Sequence, residues 1–268
     1  MAAFDPSARR GLAKNIPSPL HEGRLPLAQD SFRRIGEIVR IVVTCGPSSE
    51  PLDRVRRLTN VSTGSLGLFL SSVFADAGHE VCCFRGTGAS AYVSAPAFPI
   101  VPFTTAEDLA RELKILAQGR PIDALFHAAA LSDFRVGIIQ DQAGRPLRSG
   151  KIPSDASCLL TLVPAPKLLP KLRELFAHAF LAGWKFEVEG DRAAAIARGE
   201  RQMVDARTDL CVVNGPAYGT GFGLLARSGA LLAAEDRESL AKLLLAQLVR
   251  WDQEQARRGR PPCSDASP

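Results

Sequence analysis

The side chains with the clearest potential for chemistry are Asn60, which lies in a long polar loop after an apolar run, and Asp133 and Asn214, which come after later apolar runs. A carboxamide both donates and accepts hydrogen bonds, and a carboxylate accepts them from the hydroxyl groups of a sugar. A Ser-Thr-Gly triplet at residues 62–64 lies next to Asn60, and at the start of a helix such a turn offers N–H groups to a phosphate. The spacing therefore predicts a binding site for polar, anionic small molecules.

A strand, a helix and a second strand are predicted around the first of these side chains. Residues 41–45 form a short apolar run, residues 80–84 form another, and between them apolar residues recur at helical spacing. These helix positions are Leu66, Phe69, Leu70, Val73 and Phe74. Such a βαβ unit joins parallel strands by a right-handed crossover, and open α/β sheets bind ligands at the carboxyl ends of their strands.

The same periodicities continue along the chain. They predict further strands at 97–103, 122–130, 158–163, 179–186, 209–214 and 230–234, and helices at 106–117, 166–176, 192–206 and 238–251. Strands that alternate with helices indicate an α/β fold. We expect a doubly wound, mostly parallel Rossmann-like sheet with helices on both faces, in which the polar segments after the strands converge on one edge.

The composition divides the chain into four predicted regions. Residues 1–37 are predicted to be an N-terminal arm, residues 38–252 the folded domain, and residues 253–268 a disordered tail. Within the domain, residues 136–157 are rich in Gly, Pro and Ser, and a connection of this length in a compact domain is usually functional or disordered. We predict a lid there.

The charge and composition of the chain exclude several kinds of binding partner. The net charge is +5, aromatic residues make up 6% of the chain, and much of the basic excess lies at the two ends. A nucleic-acid groove would need a dense basic stripe with stacking aromatics, so we expect no nucleic-acid partner. No apolar run is long enough to span a bilayer, and the six cysteines lack metal-ligand spacing. We expect a cytoplasmic protein without a membrane partner or a dedicated metal site.

Two side chains in predicted strands, those of His127 and Cys45, could be either core residues or catalytic groups. His127 lies inside a predicted strand, which favours a core or strand-edge histidine over a catalytic base. Cys45 ends the first strand and is the cysteine best placed to face a ligand, although no histidine lies nearby in sequence to activate its thiol.

Several motifs occur together and in order over residues 38–250. They are Gly46, Glu50-Pro51-Leu52-Asp53, Val55-Arg56, Thr59-Asn60, Ser62-Thr63-Gly64, Ala128 to Ala130 with Ser132-Asp133-Phe134, Lys151-Ile152-Pro153-Ser154, Trp184 to Glu187, Asn214, and Gly221-Phe222. Taken together they resemble the phosphopantothenate–cysteine ligase family, in the stand-alone form that has no fused flavin-binding decarboxylase.

The resemblance implies a reaction in coenzyme A biosynthesis. It joins the carboxylate of 4′-phosphopantothenate to the amine of L-cysteine through an acyl-nucleotidylate, and it releases pyrophosphate and a nucleoside monophosphate. The nucleotide is ATP or CTP, with Mg²⁺ held by few protein ligands. The resemblance also implies a homodimer, in which the lid at 136–157 crosses to the second subunit.

The resemblance also suggests roles for individual residues. Asn60 and Lys151 are the expected catalytic residues, with a turn or N-cap asparagine and a solvated lysine as the alternatives. The expected substrate-binding residues are Arg56, Ser62, Thr63 and Gly64. The expected nucleotide-binding residues are Gly46, Ser48, Ala129, Asp133, Phe186, Asn214 and Phe222. The alternatives are a solvated loop cation for Arg56, a helix or turn cap for Asp133 and core packing for Phe222, and Trp184 is predicted to be core.

Other functions compete with the ligase. The segment TGSLG loosely resembles the fingerprint of an NAD(P)-linked oxidoreductase, but neither Tyr92 nor Tyr218 is followed by lysine four residues later. A non-catalytic nucleotide-binding relative is the second alternative, and it would bind nucleotide without releasing pyrophosphate. Arg198 and Arg201 lie where CTP-preferring members often carry lysines, so ATP and CTP both remain open.

Overall fold

The computed structural model describes residues 39–147, 150–155 and 157–257. Within these residues the strands are β1 (Arg40–Cys45), β2 (Ser49–Pro51), β3 (Arg57–Thr59), β4 (Glu80–Gly86), β5 (Ile100–Phe103), β6 (Ala124–His127), β7 (Phe134–Asp141), β8 (Cys158–Pro164), β9 (Phe180–Phe186), β10 (Leu210–Asn214), β11 (Phe222–Ala226) and β12 (Leu231–Ala234). The helices are α1 (Ser65–Asp76), α2 (Ala106–Ala117), α3 (Leu169–Leu175), α4 (Arg192–Ala206) and α5 (Arg237–Arg257).

Eight of these strands form one sheet in the order β12-β11-β10-β9-β6-β1-β4-β5. The six strands from β10 to β5 are parallel, and β11 and β12 add an antiparallel edge. The chain first moves outward from β1 to β4 and β5, then returns to β6 on the other side of β1. The predicted doubly wound, mostly parallel fold is confirmed, and its switch point lies between β1 and β6, where such sheets bind ligands.

Helices cover both faces of the sheet because its buried strands are apolar on both sides. One face packs on α1 and α5, and there the rings of Phe74 and Phe126 are 4.7 Å apart. The other face packs on α2 and α3 through Leu109, Leu113 and Leu172. Each large apolar side chain buried in this way stabilises the fold by about 1.5–3 kcal/mol.

Local signals set the helix boundaries. Thr105 caps α2 by accepting the N–H of Asp108, whose carboxylate accepts the N–H of Thr105 in return. Asp191 caps α4 by accepting the N–H of Ala194. The predicted bounds of both helices, 106–117 and 192–206, agree with the structure.

Three predicted segments need correction. The predicted lid 136–157 was expected to lack regular structure, but its first residues belong to β7, which pairs with β8 in a separate two-stranded ribbon. The predicted strand 158–163 therefore exists as β8 but lies outside the main sheet. Strand β11 was not predicted, because the glycines in GTGFG suggested a loop. Phe222 begins that strand and packs against the core.

The chain ends also differ from expectation in part. The tail was predicted to begin at residue 253, but α5 continues to Arg257. The rest of that tail, residues 258–268, and the predicted arm at 1–37 lie outside the described residues. Among the described helices, none combines the length and the apolar composition that crossing a bilayer requires.

Candidate functional site at the carboxyl edge of the sheet

A cavity of about 1090 Å³ lies at the carboxyl ends of β1, β6, β9 and β10. Of the residues singled out from the sequence, those that line it are Asn60, Ser62, Thr63, Gly64, Ala129, Asp133, Phe186 and Asn214. Side chains from four separate segments of the chain are thus brought to one surface. Five other predicted site residues do not line this cavity, namely Gly46, Ser48, Arg56, Lys151 and Phe222.

The N-terminus of α1 opens into the cavity. Its N-cap is Gly64 in the left-handed conformation, with φ of 75°, and the Thr63 hydroxyl oxygen accepts the N–H of Ser65, the first helical residue, at 3.3 Å. A side chain at Gly64 would also approach the Cβ of Ala89 to 3.0 Å, so glycine is required by space as well as by conformation. No acidic residue occupies the first turn of α1. The helix therefore presents backbone N–H groups and a positive dipole end to an anion.

Asn60 bridges two of the strand-end loops. Its Nδ2 donates to the carbonyl oxygens of Ala130 and Leu131, at 3.3 and 2.9 Å, and the residue is exposed. The alternative in which Asn60 caps α1 is wrong, because Gly64 is the N-cap. With Nδ2 engaged by the protein, Oδ1 is the atom of this amide that can accept a hydrogen bond from a ligand.

Ser48 holds the loops together from below the cavity surface. It is fully buried, and its hydroxyl oxygen accepts the backbone N–H of Ser132 at 2.9 Å. The Ser48 N–H in turn donates to Ala130, whose own N–H donates to Gly46. Direct contact of Ser48 with a nucleotide does not agree with this burial, so its role is to position the loop that carries Asp133.

Gly46 is also a packing residue. It has a φ of 77°, and a Cβ there would lie 2.8 Å from the Cβ of Ala89. This close approach lets the turn after β1 fit beside the loop that follows β4. Gly46 therefore shapes the floor of the site without lining the cavity.

The segment that carries Lys151 is docked onto the loop before Asn60. We call residues 150–155 the strap. Asp53 accepts the N–H of Ile152 at 3.0 Å, and the Arg56 guanidinium donates to the Ile152 carbonyl at 3.1 Å. Ile152 is buried. Lys151 is exposed and lies in the strap away from the cavity of its own chain.

The Asp53 carboxylate is strongly stabilised. It accepts backbone N–H groups from Ile152, Arg56 and Val55, and the Arg56 guanidinium lies 3.4 Å from it. These donors, with Ile152 the largest contributor, lower the pKa of Asp53 to about 2. Asp53 belongs to one of the sequence motifs but was not predicted as a site residue. Its carboxylate oxygens anchor the strap.

Asp133 forms an ion pair at the cavity wall with Lys167, which also lines the cavity. Both side chains are about two-thirds exposed. Lys167 was not predicted as a site residue. The signal for it was its place just before α3, because the helix that leads into a parallel strand begins at the carboxyl edge of the sheet.

Basic side chains outnumber acidic ones on the cavity wall. The basic residues are Lys167, Lys185, Arg198 and Arg201, and the acidic residues are Asp133 and Asp205. Glu187, at the end of β9, holds Lys185 at 3.0 Å and Arg198 at 3.1 Å. Arg201 has no ion-pair partner among the described residues. The excess of positive charge favours an anionic ligand.

Two polar atoms at the cavity lack partners. Nε1 of Trp184 and Oδ1 of Asn214 are buried, and neither forms a hydrogen bond within the described residues. Leaving such groups unsatisfied costs about 1–3 kcal/mol each, which a bound ligand with a complementary acceptor and donor would recover. Trp184 packs against the core, as predicted, and it also lines the cavity, as does Phe186 on the same face of β9. Phe186 is 62% exposed.

Cys45 and His127 reach the cavity from below. Cys45 is buried with its sulfur 3.6 Å from that of Cys83, and this contact together with burial raises the pKa of Cys45. A thiol that stays protonated is a poor nucleophile, so the structure favours a core cysteine. His127 is buried, and burial lowers its pKa to about 4. Its presence on the cavity wall was not predicted.

The fold and site define an α/β protein with a cavity, rich in basic side chains, where its parallel strands end. Comparison with known proteins gives the family. Residues 37–249 match the model of the DNA/pantothenate metabolism flavoprotein C-terminal domain, and the chain belongs to this family. This match confirms the family that the sequence motifs indicated.

Similar proteins carry related names. The coenzyme A biosynthesis bifunctional protein CoaBC of Thermococcus kodakarensis is 30% identical over 177 residues, which cover 65% of this chain and 41% of that protein. The crystal structure of the DNA/pantothenate metabolism flavoprotein from Streptococcus pneumoniae superposes with a TM-score of 0.69 at 25% identity, covering 80% of this chain and 99% of that one. A Cab2 mutant in complex with phosphopantothenate-cysteine shares the fold, with a TM-score of 0.64 at 16% identity and coverage of 83% and 89%.

The chain spans less than half the length of the curated relatives that it matches. The family membership does not support the NAD(P)-linked oxidoreductase that was considered from the sequence. The activity of this chain is therefore argued from its own site.

Proposed function

We propose that this protein joins 4′-phosphopantothenate to L-cysteine in coenzyme A biosynthesis, with ATP or CTP as the energy source. The observation that carries the proposal is the shared cavity of Asn60, Asp133 and Asn214, with an open helix N-terminus and an excess of basic side chains. That arrangement holds two anionic reactants next to each other. The sequence belongs to a family whose members include coenzyme A biosynthesis proteins.

The reaction needs two group transfers. First, a carboxylate oxygen of 4′-phosphopantothenate attacks the α-phosphorus of the nucleotide, the bond to the β-phosphate breaks, and pyrophosphate leaves. This converts an unreactive carboxylate into a mixed anhydride. Second, the amine of cysteine attacks the acyl carbon, the bond to the nucleotidyl oxygen breaks, and the nucleoside monophosphate leaves together with one proton. Proximity and charge stabilisation supply most of the catalysis that a protein adds here.

The residues on the cavity wall fit these steps. The N-terminus of α1 with Ser62 and Thr63 binds the phosphate of 4′-phosphopantothenate, and Asn60 Oδ1 accepts a hydrogen bond from the pantoyl part of that substrate. On the nucleotide side, Phe186 packs on the base and Asn214 accepts from it. Asp133 accepts from the ribose, and Arg201 binds phosphate oxygens.

Magnesium would be held mainly by the nucleotide. In the described residues, no cluster of three histidine, cysteine, aspartate or glutamate side chains is arranged to hold a metal ion. Mg²⁺ usually keeps several waters and binds phosphate oxygens with one or two carboxylates, and Asp133 and Asp205 are the carboxylates at the wall. When bound, the ion neutralises charge on the triphosphate.

The proposal includes a homodimer with shared sites. Arg56 is hydrogen-bonded to the strap that carries Lys151, and neither residue lines the cavity of its own chain. The neighbouring β7–β8 ribbon exposes apolar side chains that water does not favour, among them Ile138, Leu159 and Leu162. A two-fold partner that covers this ribbon would bring Lys151 and Arg56 to the other subunit's cavity.

Mixing two inactive variants tests the shared site. Asn60→Asp and Lys151→Ala are each expected to be inactive as homodimers. If the cavity residues and the strap act across the subunit interface, mixed dimers of the two variants regain activity. Absence of any recovery, or a fully active monomer that survives dilution on gel filtration, would reject the shared site.

The activity itself is tested with purified protein, 4′-phosphopantothenate, L-cysteine, Mg²⁺ and ATP or CTP in separate reactions. We expect pyrophosphate release that depends on 4′-phosphopantothenate, and a product with the mass of the amide. Asn60→Asp should abolish both while the protein stays folded, because its two oxygens would face the carbonyls of Ala130 and Leu131. Nucleotide binding without pyrophosphate release would establish the non-catalytic alternative instead. We also propose that the reaction takes place in the cytoplasm. The cytoplasmic fraction of the cell should then contain both the protein and the activity.

A further inference from the structure

His127 has no role in the proposed reaction, although it lies at the centre of the sheet edge. It ends β6, between Thr44 of β1 and Gly183 of β9, with which it is in register. It is only 7% exposed, and it lines the cavity. A buried imidazole at the switch point of the sheet is placed to contact whatever fills the cavity.

A hydrogen bond to Thr44 fixes the imidazole ring. Thr44 Oγ1 and His127 Nδ1 are 2.7 Å apart, and Thr44 is fully buried. Nδ1 is the one hydrogen-bond partner of this hydroxyl among the described residues. A buried hydroxyl whose proton finds no acceptor is costly, so the Thr44 hydroxyl donates to Nδ1. The proton of the neutral ring is then carried by Nε2.

Nε2 is the ring nitrogen that remains for a ligand. It has no hydrogen-bond partner in the described part of the chain, yet it is not one of the side-chain atoms sealed away from solvent there. His127 borders the cavity, so the open atom of its ring faces that space. Burial disfavours the charged ring, so the imidazole stays neutral at physiological pH and Nε2–H remains a donor.

The expected acceptor is an anionic oxygen of a ligand. The cavity wall carries an excess of basic side chains, and the open end of α1 adds N–H groups. Both attract phosphates and carboxylates. A neutral N–H donor adds direction without adding charge, and it strengthens as negative charge develops on the oxygen that it contacts.

We propose that the Nε2–H of His127 donates a hydrogen bond to a phosphate or carboxylate oxygen of the bound substrate, with Thr44 as the residue that positions the ring. This inference rests on the proposed function for the identity of the ligands. It assigns His127 to the site as a donor, whereas the general-base interpretation would need an unprotonated Nε2.

Nitrogen NMR of the histidine rings tests the proposal directly. Protein labelled with ¹⁵N is observed between pH 5.5 and 8, and His127 is assigned by comparison with His127→Gln. We expect the Nε2–H tautomer throughout that range. Addition of 4′-phosphopantothenate, ATP, CTP or inorganic phosphate, each alone, should shift the His127 Nε2 signal for the ligand that it contacts. A ring protonated at Nδ1, or a signal that none of the four ligands moves, would overturn the proposal.

Variants of Thr44 provide the matched control. Thr44→Ser keeps the hydroxyl and should keep the Nε2–H tautomer and the ligand-induced shift. Thr44→Val is close in shape but removes the donor, so the ring should populate both tautomers and the shift should shrink. If Thr44→Val behaves like Thr44→Ser, the positioning role is wrong.

The NMR outcomes separate this inference from the ligase activity. A protein whose His127 signal responds to ligands but that releases no pyrophosphate keeps the inference and refutes the proposed function. A protein that makes the amide while the His127 signal stays unmoved refutes the inference alone.

Discussion

The carboxylate of Asp53 accepts the backbone N–H of Ile152 at 3.0 Å, joining segments 99 positions apart in the sequence. One oxygen of Asp53 serves this bond, while the other accepts the N–H groups of Val55 and Arg56. The same carboxylate thus shapes the loop that leads to Asn60 and fixes the strap that carries Lys151. Two parts of the proposed site depend on one side chain.

Asp53→Asn should detach the strap. An amide has one acceptor oxygen where the carboxylate has two, so it cannot serve both the Ile152 N–H and the N–H groups of Val55 and Arg56, and the anchor of the strap is weakened. We expect ligation to fall at least about tenfold, because misplaced catalytic groups are costly, with a small change in melting temperature. Hydrogen exchange at the Ile152 amide should accelerate. Asp236→Asn is the control, since Asp236 accepts the N–H of Ser239 at the start of α5. Equal activity loss in both variants would contradict the anchoring role.

Lys167→Ala should weaken nucleotide binding. Lys167 lines the cavity and pairs with Asp133, so its removal lowers the positive charge that attracts the triphosphate. We expect the KM for nucleotide to rise by about three- to tenfold, with the larger effect at low salt because exposed charges are screened. The control is Lys171→Ala, which removes an exposed lysine of α3 that does not line the cavity and should leave the KM unchanged. An equal rise in both variants would show a non-specific effect of charge.

Gly67→Ala should destabilise the fold at the base of the site. A Cβ at this position would lie 2.2 Å from the Cβ of Cys45, so α1 would have to move away from β1. Overpacking of this kind costs about 1–3 kcal/mol, more than the helix propensity that alanine adds. Chemical denaturation measures the loss. Gly119→Ala, where the nearest atom is 3.4 Å away, should change stability by much less. A Gly67→Ala protein as stable as the parent would contradict the packing.

Acid should destabilise the protein partly through His127. Burial lowers its pKa from 6.5 to about 4, so the unfolded chain binds a proton there more readily. The resulting stability is present above pH 6.5 and is lost as pH falls toward 4, by about 3 kcal/mol in total. His127→Gln should show a smaller drop in unfolding free energy between pH 7 and pH 5 than the parent. Identical pH profiles would show that the ring is not held neutral by burial.

Much of the fold was readable from the chain because its helices and parallel strands have regular apolar periods. The bounds of α2 and α4 followed from these periods, and in the structure Thr105 and Asp191 cap the two helices. Strand β7 and its pairing with β8 escaped prediction because the side chains of this ribbon are largely exposed, so no buried face imposes an alternating pattern. Pairing between two such strands depends on their meeting in space, which sequence periodicity does not encode.

The site was predictable to the extent that it uses strand ends. Asp133 and Asn214 come after β6 and β10 of the parallel sheet, and Asn60 lies in the connection from β1 to α1, so all three meet at the carboxyl edge. Side chains that reach the cavity from helices or from within a strand, such as Arg201 and His127, gave weaker signals, because their direction depends on packing. Ser48 shows the reverse case, in which a residue of the right type at the right place is buried beneath the surface.

The central claim is that the carboxylate of 4′-phosphopantothenate attacks the α-phosphorus of the nucleotide. Labelling that carboxylate with ¹⁸O and analysing the products by mass spectrometry tests it most directly. The account predicts one ¹⁸O atom in the nucleoside monophosphate and none in the pyrophosphate. Label in inorganic phosphate with release of a nucleoside diphosphate, or an amide product formed with no label in any nucleotide product, would contradict it.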